Sequence, residues 1–476
     1  MYLTVKSEWE SRRFAIWLGV GHRQEISMED SLKLNISYRQ ILQMAIPISF
    51  AILVPQFNFL INSFFLSKLG PGYMGASGIT GVYYLIFSVI GYGLNNGLQT
   101  LVSRRAGQDR SSEIGGLFIQ SIYLTLLIAV FGIICTYSFA PAIFGSFTDP
   151  ALAKQSTSFL FIRIWGLPFL YIYQMRNALL VGTNQSKLLI WGTLAETISN
   201  VVLDYGLIFG NLGMPKLGFN GAAYASIMAE FIGMVVVLAI INAKGMNTRF
   251  KLFDNLTFNW KISKTIFIQS SPIILQYAIS IISWEFFFIL VSHDGMLALD
   301  VSQLMRLLFG FYGIFIWSFA ATSSTMVSNL VGQGLSKRVM ILVGRIAMLS
   351  AGSTLVIFIP VQLFTREILS LFNDDAAFLA MAIPVLRVVS VAILMMSVST
   401  VCLNAVTGTG NTRINLMIEM ITIVMYIVYV YLVMEVYNLP IVWGWGSEWV
   451  YWTSIFIMSF AYLKSGKWNN AKSRSI

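Results

Sequence analysis

Long apolar stretches recur along the whole chain, and they restrict the fold more than any other feature of the sequence. Each has about 20 residues, enough for a helix to cross about 30 Å of hydrocarbon. Only 11% of the residues are charged, against about 25% in soluble domains, so a membrane bundle is favoured over buried soluble helices. We predict twelve transmembrane helices, at residues 41–66, 78–103, 114–138, 158–181, 188–209, 220–243, 265–291, 302–331, 339–363, 380–406, 415–436 and 440–463.

The distribution of lysine and arginine predicts the orientation of these helices. If alternate connections lie on opposite sides, 23 of the 31 basic residues fall on the side that carries both termini. The opposite side has four, Lys68, Lys154, Lys216 and Arg366. Because basic residues accumulate in cytoplasmic loops, we predict a multi-pass protein of the inner (plasma) membrane with both termini in the cytoplasm. The net charge of +10 then reflects topology and gives no reason to expect nucleic-acid binding.

Sequence motifs of enzymes and of ATP-driven pumps are missing. The chain has no P-loop, no GxGxxG run and no nucleophile elbow, and its two cysteines and two histidines lack metal-ligand or triad spacing. We therefore expect a protein that is not an enzyme and needs no cofactor. Residues 1–27 do not have the layout of a cleavable signal peptide, and Met28 begins a more ordinary polar lead-in, so we expect the native chain to start there.

An internal repeat relates the two halves of the chain. The Pro-Ile pair at 47–48 recurs at 272–273, which is 225 residues later, and "GTNQSK" at 182–187 recurs as "GTGNTR" at 408–413, at an offset of 226. Six helices per copy keep both copies in the same orientation, so we expect a pseudo-two-fold axis along the membrane normal.

This repeat predicts an all-α protein made of two six-helix bundles, with a cleft between them, as in an alternating-access transporter. The predicted parts are a cytoplasmic N-terminal arm (1–40), an N-lobe with helices 1–6 (41–243), a basic cytoplasmic linker (244–264), a C-lobe with helices 7–12 (265–463) and a cytoplasmic tail (464–476).

A polar stripe crosses the fifth predicted helix. Glu196, Asn200 and Asp204 follow one another at intervals of four residues, so they lie on one flank of the helix. A carboxylate at bilayer depth costs about 2.5–3.5 kcal/mol, so its presence needs a reason. An aspartate beside amide and hydroxyl oxygens can bind a proton or a hard cation, which would couple an ion gradient to a conformational change. The alternative is that these residues only cap or cross-link helices.

Several runs of the chain resemble the MATE (multidrug and toxic compound extrusion) family over about residues 33–467. They are "ILQMAIPISFAILVPQFNFLINSFFLSKLG", "LVSRRAGQ", "NVVLDYGLIFG", "LGFNGAAYAS", "SNLVGQG" and "GTGNTR", in this order on the 6+6 repeat. The ending "SEWVYW…YLKSGKW" resembles a Bacteroides-like bacterial branch. The resemblance implies a V-shaped pair of bundles, acting as a monomer, that exports organic cations or drugs in exchange for Na⁺ or H⁺.

The resemblance also implies an ion site in the N-lobe. One branch of the family uses an aspartate on helix one, an asparagine and an aspartate four residues apart on helix five, and a hydroxyl on helix six. The matching residues are Asn200 and Asp204 on helix five and Ser226 on helix six. The helix-one position is Asn62, in "LINSFF", which can offer an oxygen to Na⁺ but cannot accept a proton. The implied Na⁺ site is thus Asp204, Asn200 and Asn62, with Glu196 as a further candidate for charge.

The C-lobe matches the family less completely. In "SPIILQYAISIISWEFFF", other branches place a glutamate eight residues after the proline, where this chain has Ser280. A second glutamate of some branches is matched by Glu285, which could bind a cation or proton or pair with an arginine while buried. Residues 383–407 contain no acid at the helix-ten position. Ser280, Glu285 and Gln276 are therefore candidates for an incomplete site.

Two further glutamates lie within predicted helices. Glu230 and Glu419 are either functional or paired with one of the arginines of the helices, Arg176, Arg306 or Arg387.

A proline near the start of the first helix is a candidate for a mechanical role. Pro47 removes one intrahelical hydrogen bond and permits a bend, and the family bends this helix during transport. A static kink is the alternative.

Two other functions are alternatives to ion-coupled export. A lipid-linked oligosaccharide flippase of the same broader superfamily predicts a wide cationic cavity and more than twelve helices. A membrane receptor or scaffold predicts a sizeable soluble domain. The sequence favours export over both.

Overall fold

The computed structural model describes residues 32–70, 72–147 and 149–469. Within these residues the regular structure is entirely helical, and twelve helical segments match the predicted spans. Their bounds are Tyr38–Ser67 (α1), Tyr73–Gly107 (α2), Ser111–Phe147 (α3), Pro150–Arg163 with Leu167–Gly182 (α4), Leu189–Phe209 (α5), Phe219–Ala243 (α6), Trp260–His293 (α7), Met296–Gly332 (α8), Val339–Leu363 (α9), Ala376–Gly408 (α10), Thr412–Tyr431 (α11) and Ser447–Ser465 (α12).

The twelve segments differ in how strongly they qualify as membrane spans. Nine helices of the described residues are long and apolar enough by themselves, and the others are α4, α5 and α12. Helix α4 is divided by a 3₁₀ turn at Ile164–Gly166, and α5 carries Glu196 and Asp204. The expectations for residues 1–27 and for the end of the tail lie outside the described residues. The other predicted domain boundaries stay predictions.

Each half of the chain packs into a bundle of its own. In the N-lobe, α1–α6, the helix α5 packs on α6 and α1, while α4 packs on α2 and α3. In the C-lobe, α7–α12, the equivalent pairs recur: α11 packs on α12 and α7, and α10 packs on α8. The lobes meet through α2, which contacts α7 and α8, and through α1, which contacts α8.

The lobes approach most closely at one end of the bundle. A Cβ atom on Gly107 would lie 2.2 Å from the carbonyl oxygen of Asn329, and one on Gly332 would lie 2.4 Å from that of Arg104. Glycine is therefore required where α2 and α8 cross. Between these helices Gln99 Nε2 donates to Thr325 Oγ1 at 2.6 Å. The largest core cluster contains buried side chains from both lobes, so the described state is closed at this end.

An extended segment, residues 32–37, crosses this closed end, and we call it the strap. The backbone N–H of Leu34 donates to Asn329 Oδ1 at 3.0 Å, and Asn329 Nδ2 donates to the carbonyl of Leu32 at 2.9 Å. On the other lobe, Lys33 forms an ion pair with Asp109 at 2.5 Å. The strap thus contacts both lobes, and its end of the bundle is called the strap side.

Candidate functional site

A polar cluster lies in the N-lobe where α1, α5 and α6 meet. Helix α5 supplies Asn200, which is 2% exposed, and Asp204, which is fully buried. The four-residue spacing puts both on the face that packs against α1 and α6. The helix ends at Gly210, whose φ of 79° provides the left-handed cap.

Asn200 is the centre of this cluster. With its amide in the orientation that gives partners to both of its polar atoms, Nδ2 lies 3.3 Å from Asp204 Oδ2 and 3.0 Å from Asn58 Oδ1. Its Oδ1 faces the backbone N–H of Ser226 on α6 at 3.3 Å. One side chain thereby joins all three helices.

Two side-chain oxygen atoms on the helices that meet here are buried without a donor. They are Oδ1 of Asp204 and Oδ1 of Asn62 on α1, and neither has a hydrogen-bond partner among the described residues. Buried oxygens are normally satisfied. A carboxylate and an amide oxygen in this condition are the ligand types that a hard cation takes, and the carboxylate oxygen can also take a proton.

The structure places the predicted N-lobe residues in different relations to this cluster. Asn200 and Asp204 belong to it, and Asn62 lies one turn after Asn58 on α1 with its Oδ1 buried and without a partner in the described part of the chain. The hydroxyl of Ser226 instead donates to the carbonyl of Ala222 at 2.9 Å within its own helix. Asn58, one turn before Asn62, was missed by sequence analysis. Its spacing of four residues from Asn62 on the same helix was the available signal.

Glu196 belongs to a separate group of charges. It lies two turns before Asp204, about 12 Å along the helix axis. Its side chain lies near Tyr173, and it packs against Gly233, where an added Cβ would lie 3.0 Å from the Cβ of Glu196. The neighbouring charges are those of Arg163, Glu230 and Arg176. Glu196 is therefore not a ligand of the Asp204 cluster in this state.

Glu230 is held by an ion pair that the sequence analysis did not anticipate. Both of its oxygens accept from Arg163, at 3.1 and 2.5 Å. Arg176, which was considered as its partner, instead donates to backbone carbonyls of Ile172, Gly233 and Met234. The expectation of an arginine partner is right, but the named arginines were wrong.

In the C-lobe, a glutamate on α11 collects hydrogen bonds from α7 and α12. Glu419 Oε1 accepts from Ser280 Oγ at 2.6 Å and from the hydroxyl of Tyr451. Gln276 Nε2 donates to Oε2 at 3.4 Å. The structure thus brings two C-lobe candidates to an acid that sequence analysis had weighed as the partner of an arginine. Glu419 is the single acidic residue between Asp375 and Glu435, and this was a signal for it.

Glu285 does not join this group. It pairs with Arg306 at 2.9 Å, and the two side chains are 51% and 38% exposed. The predicted pairing with an arginine is present, but the expectation of burial was wrong, because the Glu285 side chain is half exposed.

Helix α1 continues through Pro47 from Tyr38 to Ser67. Two residues further on, Ser49 Oγ donates to Ser318 Oγ of α8 at 2.7 Å, so this part of the helix is tied to the other lobe. Whether α1 bends here during a transport cycle stays a prediction.

Comparison with known proteins agrees with this architecture. The fold covers 94% of this chain and 98% of a MOP superfamily transporter from Pyrococcus furiosus, with a TM-score of 0.83 and 16% identity. A second solved structure is a multidrug resistance MATE family transporter in an outward-facing conformation. The match covers 93% of this chain and 98% of that transporter, also with a TM-score of 0.83 and 16% identity. The chain therefore has the two-lobed, pseudo-symmetric fold of these membrane proteins.

Sequence comparison defines the family. The MatE model matches residues 47–206 and 272–432, one block in each lobe and more than half of the chain together. The chain belongs to the MatE family. A probable multidrug resistance protein NorM of Synechococcus sp. is 24% identical over 400 residues, covering 80% of this chain and 84% of the relative. Its namesake from Synechocystis sp. is 26% identical over 218 residues, about half of each chain (46% and 47%). These relatives are probable multidrug resistance proteins by name, and they do not favour the flippase.

Proposed function

We propose that this protein is a secondary active antiporter of the inner membrane, which exports organic cations or drugs in exchange for Na⁺ or H⁺ by alternating access. The proposal has the protein acting as a monomer, with both termini and the strap side in the cytoplasm. The observation that carries it is the buried, incompletely satisfied Asp204 at the junction of α1, α5 and α6.

The Asp204 cluster has the chemistry of a coupling site. A buried carboxylate without a compensating charge is unfavourable, so the binding of a cation or a proton stabilises the state that contains it. Asn58 and Asn62 would add amide oxygens from α1, which can coordinate Na⁺ but cannot take a proton, while Asn200 in this state turns its amide nitrogen toward Asp204. Asp204 is thus the group that would carry either ion, and the asparagines would help only with Na⁺.

The position of the cluster links ion binding to the lobe interface. Helix α1 contributes Asn58, packs on α5, and contacts α8 of the other lobe. An ion that draws Asp204 and the α1 asparagines together changes how α1 lies against α5. This change is transmitted to the Ser49–Ser318 contact across the cleft. An ion gradient can then bias which side of the cleft is open.

The proposal is tested by efflux of a fluorescent organic cation from cells that produce the native chain, Asp204→Asn or Asp374→Asn. Asp374 is an exposed loop carboxylate and serves as the matched control. Efflux is followed with and without Na⁺, and with the pH gradient collapsed. We expect native and Asp374→Asn efflux to follow one of the gradients and Asp204→Asn to lose that dependence. Each pH unit can support about a tenfold concentration ratio when one proton enters per monovalent cation.

Different results would revise different parts of the proposal. Normal gradient-driven efflux by Asp204→Asn would make Asp204 a structural residue. Dependence on Na⁺ that survives in Asn62→Ala would remove Asn62 from the ion site. If the native chain moves no cation under any gradient, cation export itself is wrong.

A further inference from the structure

The C-lobe contains a cavity of about 260 Å³ between α7, α8, α10, α11 and α12. Aromatic side chains form most of its wall, together with Ser280, Ser283, Ile281 and Met396. The aromatic residues are Trp284, Phe309, Trp317, Tyr426, Tyr451 and Trp452. Binding pockets for drug-sized molecules usually measure about 300–1,000 Å³, so this one suits a compact ligand.

One acidic residue lies in the wall of this cavity. Glu448 is 5% exposed and sits in the first turn of α12, where the helix dipole favours a negative charge. Trp452 Nε1 donates to its Oε2 at 2.8 Å. Among the described residues, no lysine, arginine or histidine forms an ion pair with it. The carboxylate therefore has a hydrogen bond but no counter-ion.

The internal repeat places this cavity at the counterpart of the N-lobe cluster. With the offset of 225 found for the first helix of each lobe, Asn58 corresponds to Ser283. The repeat offset is 226 just before the fifth helix of each lobe. With this offset, Asn200 corresponds to Tyr426 and Ser226 corresponds to Trp452. All three counterparts line the cavity. Helices α1, α5 and α6 thus form a small polar site in the N-lobe, and their counterparts α7, α11 and α12 contribute to an aromatic-walled cavity in the C-lobe.

The aromatic rings are fixed by one another. Tyr451 and Trp452 are 4.7 Å apart at an interplanar angle of 89°, and Tyr426 and Tyr451 are 5.7 Å apart at 72°. Glu419 lies behind this wall and accepts from Tyr451 and Ser280, so it acts as a positioning residue. Such preorganised rings around an empty volume differ from ordinary aromatic packing, which would fill the space.

Another residue of the cavity wall, Trp284, has a polar group without a partner in the part of the chain that the structure describes. The indole N–H of Trp284 is buried and has no acceptor among the described residues. The positive charge nearest to this ring is Arg306, 5.3 Å from its centroid, and Arg306 is already paired with Glu285. The net charge offered to a ligand by the cavity wall is therefore the single negative charge of Glu448.

We propose that this C-lobe cavity binds a compact, planar aromatic monocation, with Glu448 as the counter-ion and the surrounding rings supplying cation–π and stacking contacts. The inference rests on the proposed export of organic cations, because it names the substrate class and the residues that hold it. It assigns the ion to the N-lobe and the substrate to the equivalent position in the C-lobe.

The test is equilibrium binding of 10-methylacridinium to the purified full chain in detergent micelles, measured by quenching of its fluorescence. The variants are Glu448→Gln and Trp284→Ala, and the matched control is Glu367→Gln, an exposed glutamate of the same lobe. We expect each cavity variant to weaken binding about tenfold or more, and Glu367→Gln to bind like the native chain. Neutral anthracene, which has the same three-ring shape, should not distinguish Glu448→Gln from the native chain.

The measurement separates this inference from the proposed coupling. Equilibrium binding needs no ion gradient, so Asp204→Asn should still bind 10-methylacridinium even when it no longer exports. Native-like binding by Glu448→Gln, or no binding by the native chain, would overturn the inference. If Glu448→Gln does not fold, Trp284→Ala on a different helix decides, because unchanged binding there refutes the cavity as the site.

Discussion

The ion pair of Arg163 with Glu230 gives a prediction about stability that can be worked out from the structure. Arg163 ends the first part of α4, and its guanidinium donates to both oxygens of Glu230 on α6, at 3.1 and 2.5 Å. The side chains are 16% and 7% exposed. The guanidinium also lies 4.1 Å from the ring centroid of Tyr84. The geometry is that of a buried, bidentate pair.

Removing one partner should lower the free energy of unfolding far more than removing both. Glu230→Met leaves a buried guanidinium without a counter-charge, and we expect it to lower the free energy of unfolding by about 3–5 kcal/mol. Arg163→Met leaves the buried carboxylate of Glu230 without a counter-charge, and we expect a loss of similar size. The double variant replaces the pair with apolar groups of similar size, and such replacements are often neutral or stabilising. The coupling energy between the two sites should therefore be at least about 3 kcal/mol.

The assay is a double-mutant cycle by denaturant titration in detergent micelles, followed by far-UV circular dichroism. An independent check comes from Gly166, where a Cβ would lie 2.3 Å from Arg163 Nη1 and 2.5 Å from Glu230 Oε2. Gly166→Ala should also destabilise the chain, whereas Gly145→Ala, which has open space around it, should not. If the losses of the two single variants simply add in the double variant, the pair is not a coupled buried unit.

Two further predictions concern the strap side. Asn329→Leu removes two hydrogen bonds to the strap, each with a net value of about 1 kcal/mol. Trypsin should therefore cleave after Lys33 faster than in the native chain, and unchanged cleavage would mean that the strap is held by other contacts. Gly332→Ala would place a Cβ 2.4 Å from the carbonyl oxygen of Arg104, so it should prevent full closure at this end and reduce cation efflux. Gly344→Ala, with nothing near the added atom, is its control, and equal efflux by the two variants would contradict the role of the glycine contact.

The fold was largely predictable from the sequence because its main determinant is one-dimensional. A run of about 20 apolar residues fixes a spanning helix without knowledge of its neighbours, and the twelve predicted spans all coincide with helical segments. The face of α5 that carries Asn200 and Asp204 was predictable for the same reason, because helical spacing is local.

The partners of the polar side chains could not be predicted in the same way, because they depend on the rotation of one helix against another. Asn58 rather than Asn62 reaches Asn200, and these two residues differ by a single turn of α1. Glu419 accepts from Ser280, although 139 residues separate them. Glu448 lies inside the predicted span 440–463, where sequence analysis did not single it out, and in the structure the helix begins later, so that Glu448 sits in its first turn. Only the cavity around it makes it unusual.

Under the two proposals, equivalent helices of the two lobes serve different chemistry, and this has a consequence for coupling. Ion and substrate would not compete for one carboxylate, since Asp204 and Glu448 lie in different lobes, so the coupling has to pass through the lobe interface. The repeat supplies symmetric routes: α1 packs on α5 and crosses to α8, while its counterpart α7 packs on α11 and crosses to α2. Asn96 of α2 donates to the hydroxyl of Tyr277, one residue after Gln276 on α7. We therefore expect occupancy of either site to act on the same interface, through α1 from the N-lobe and through α7 from the C-lobe.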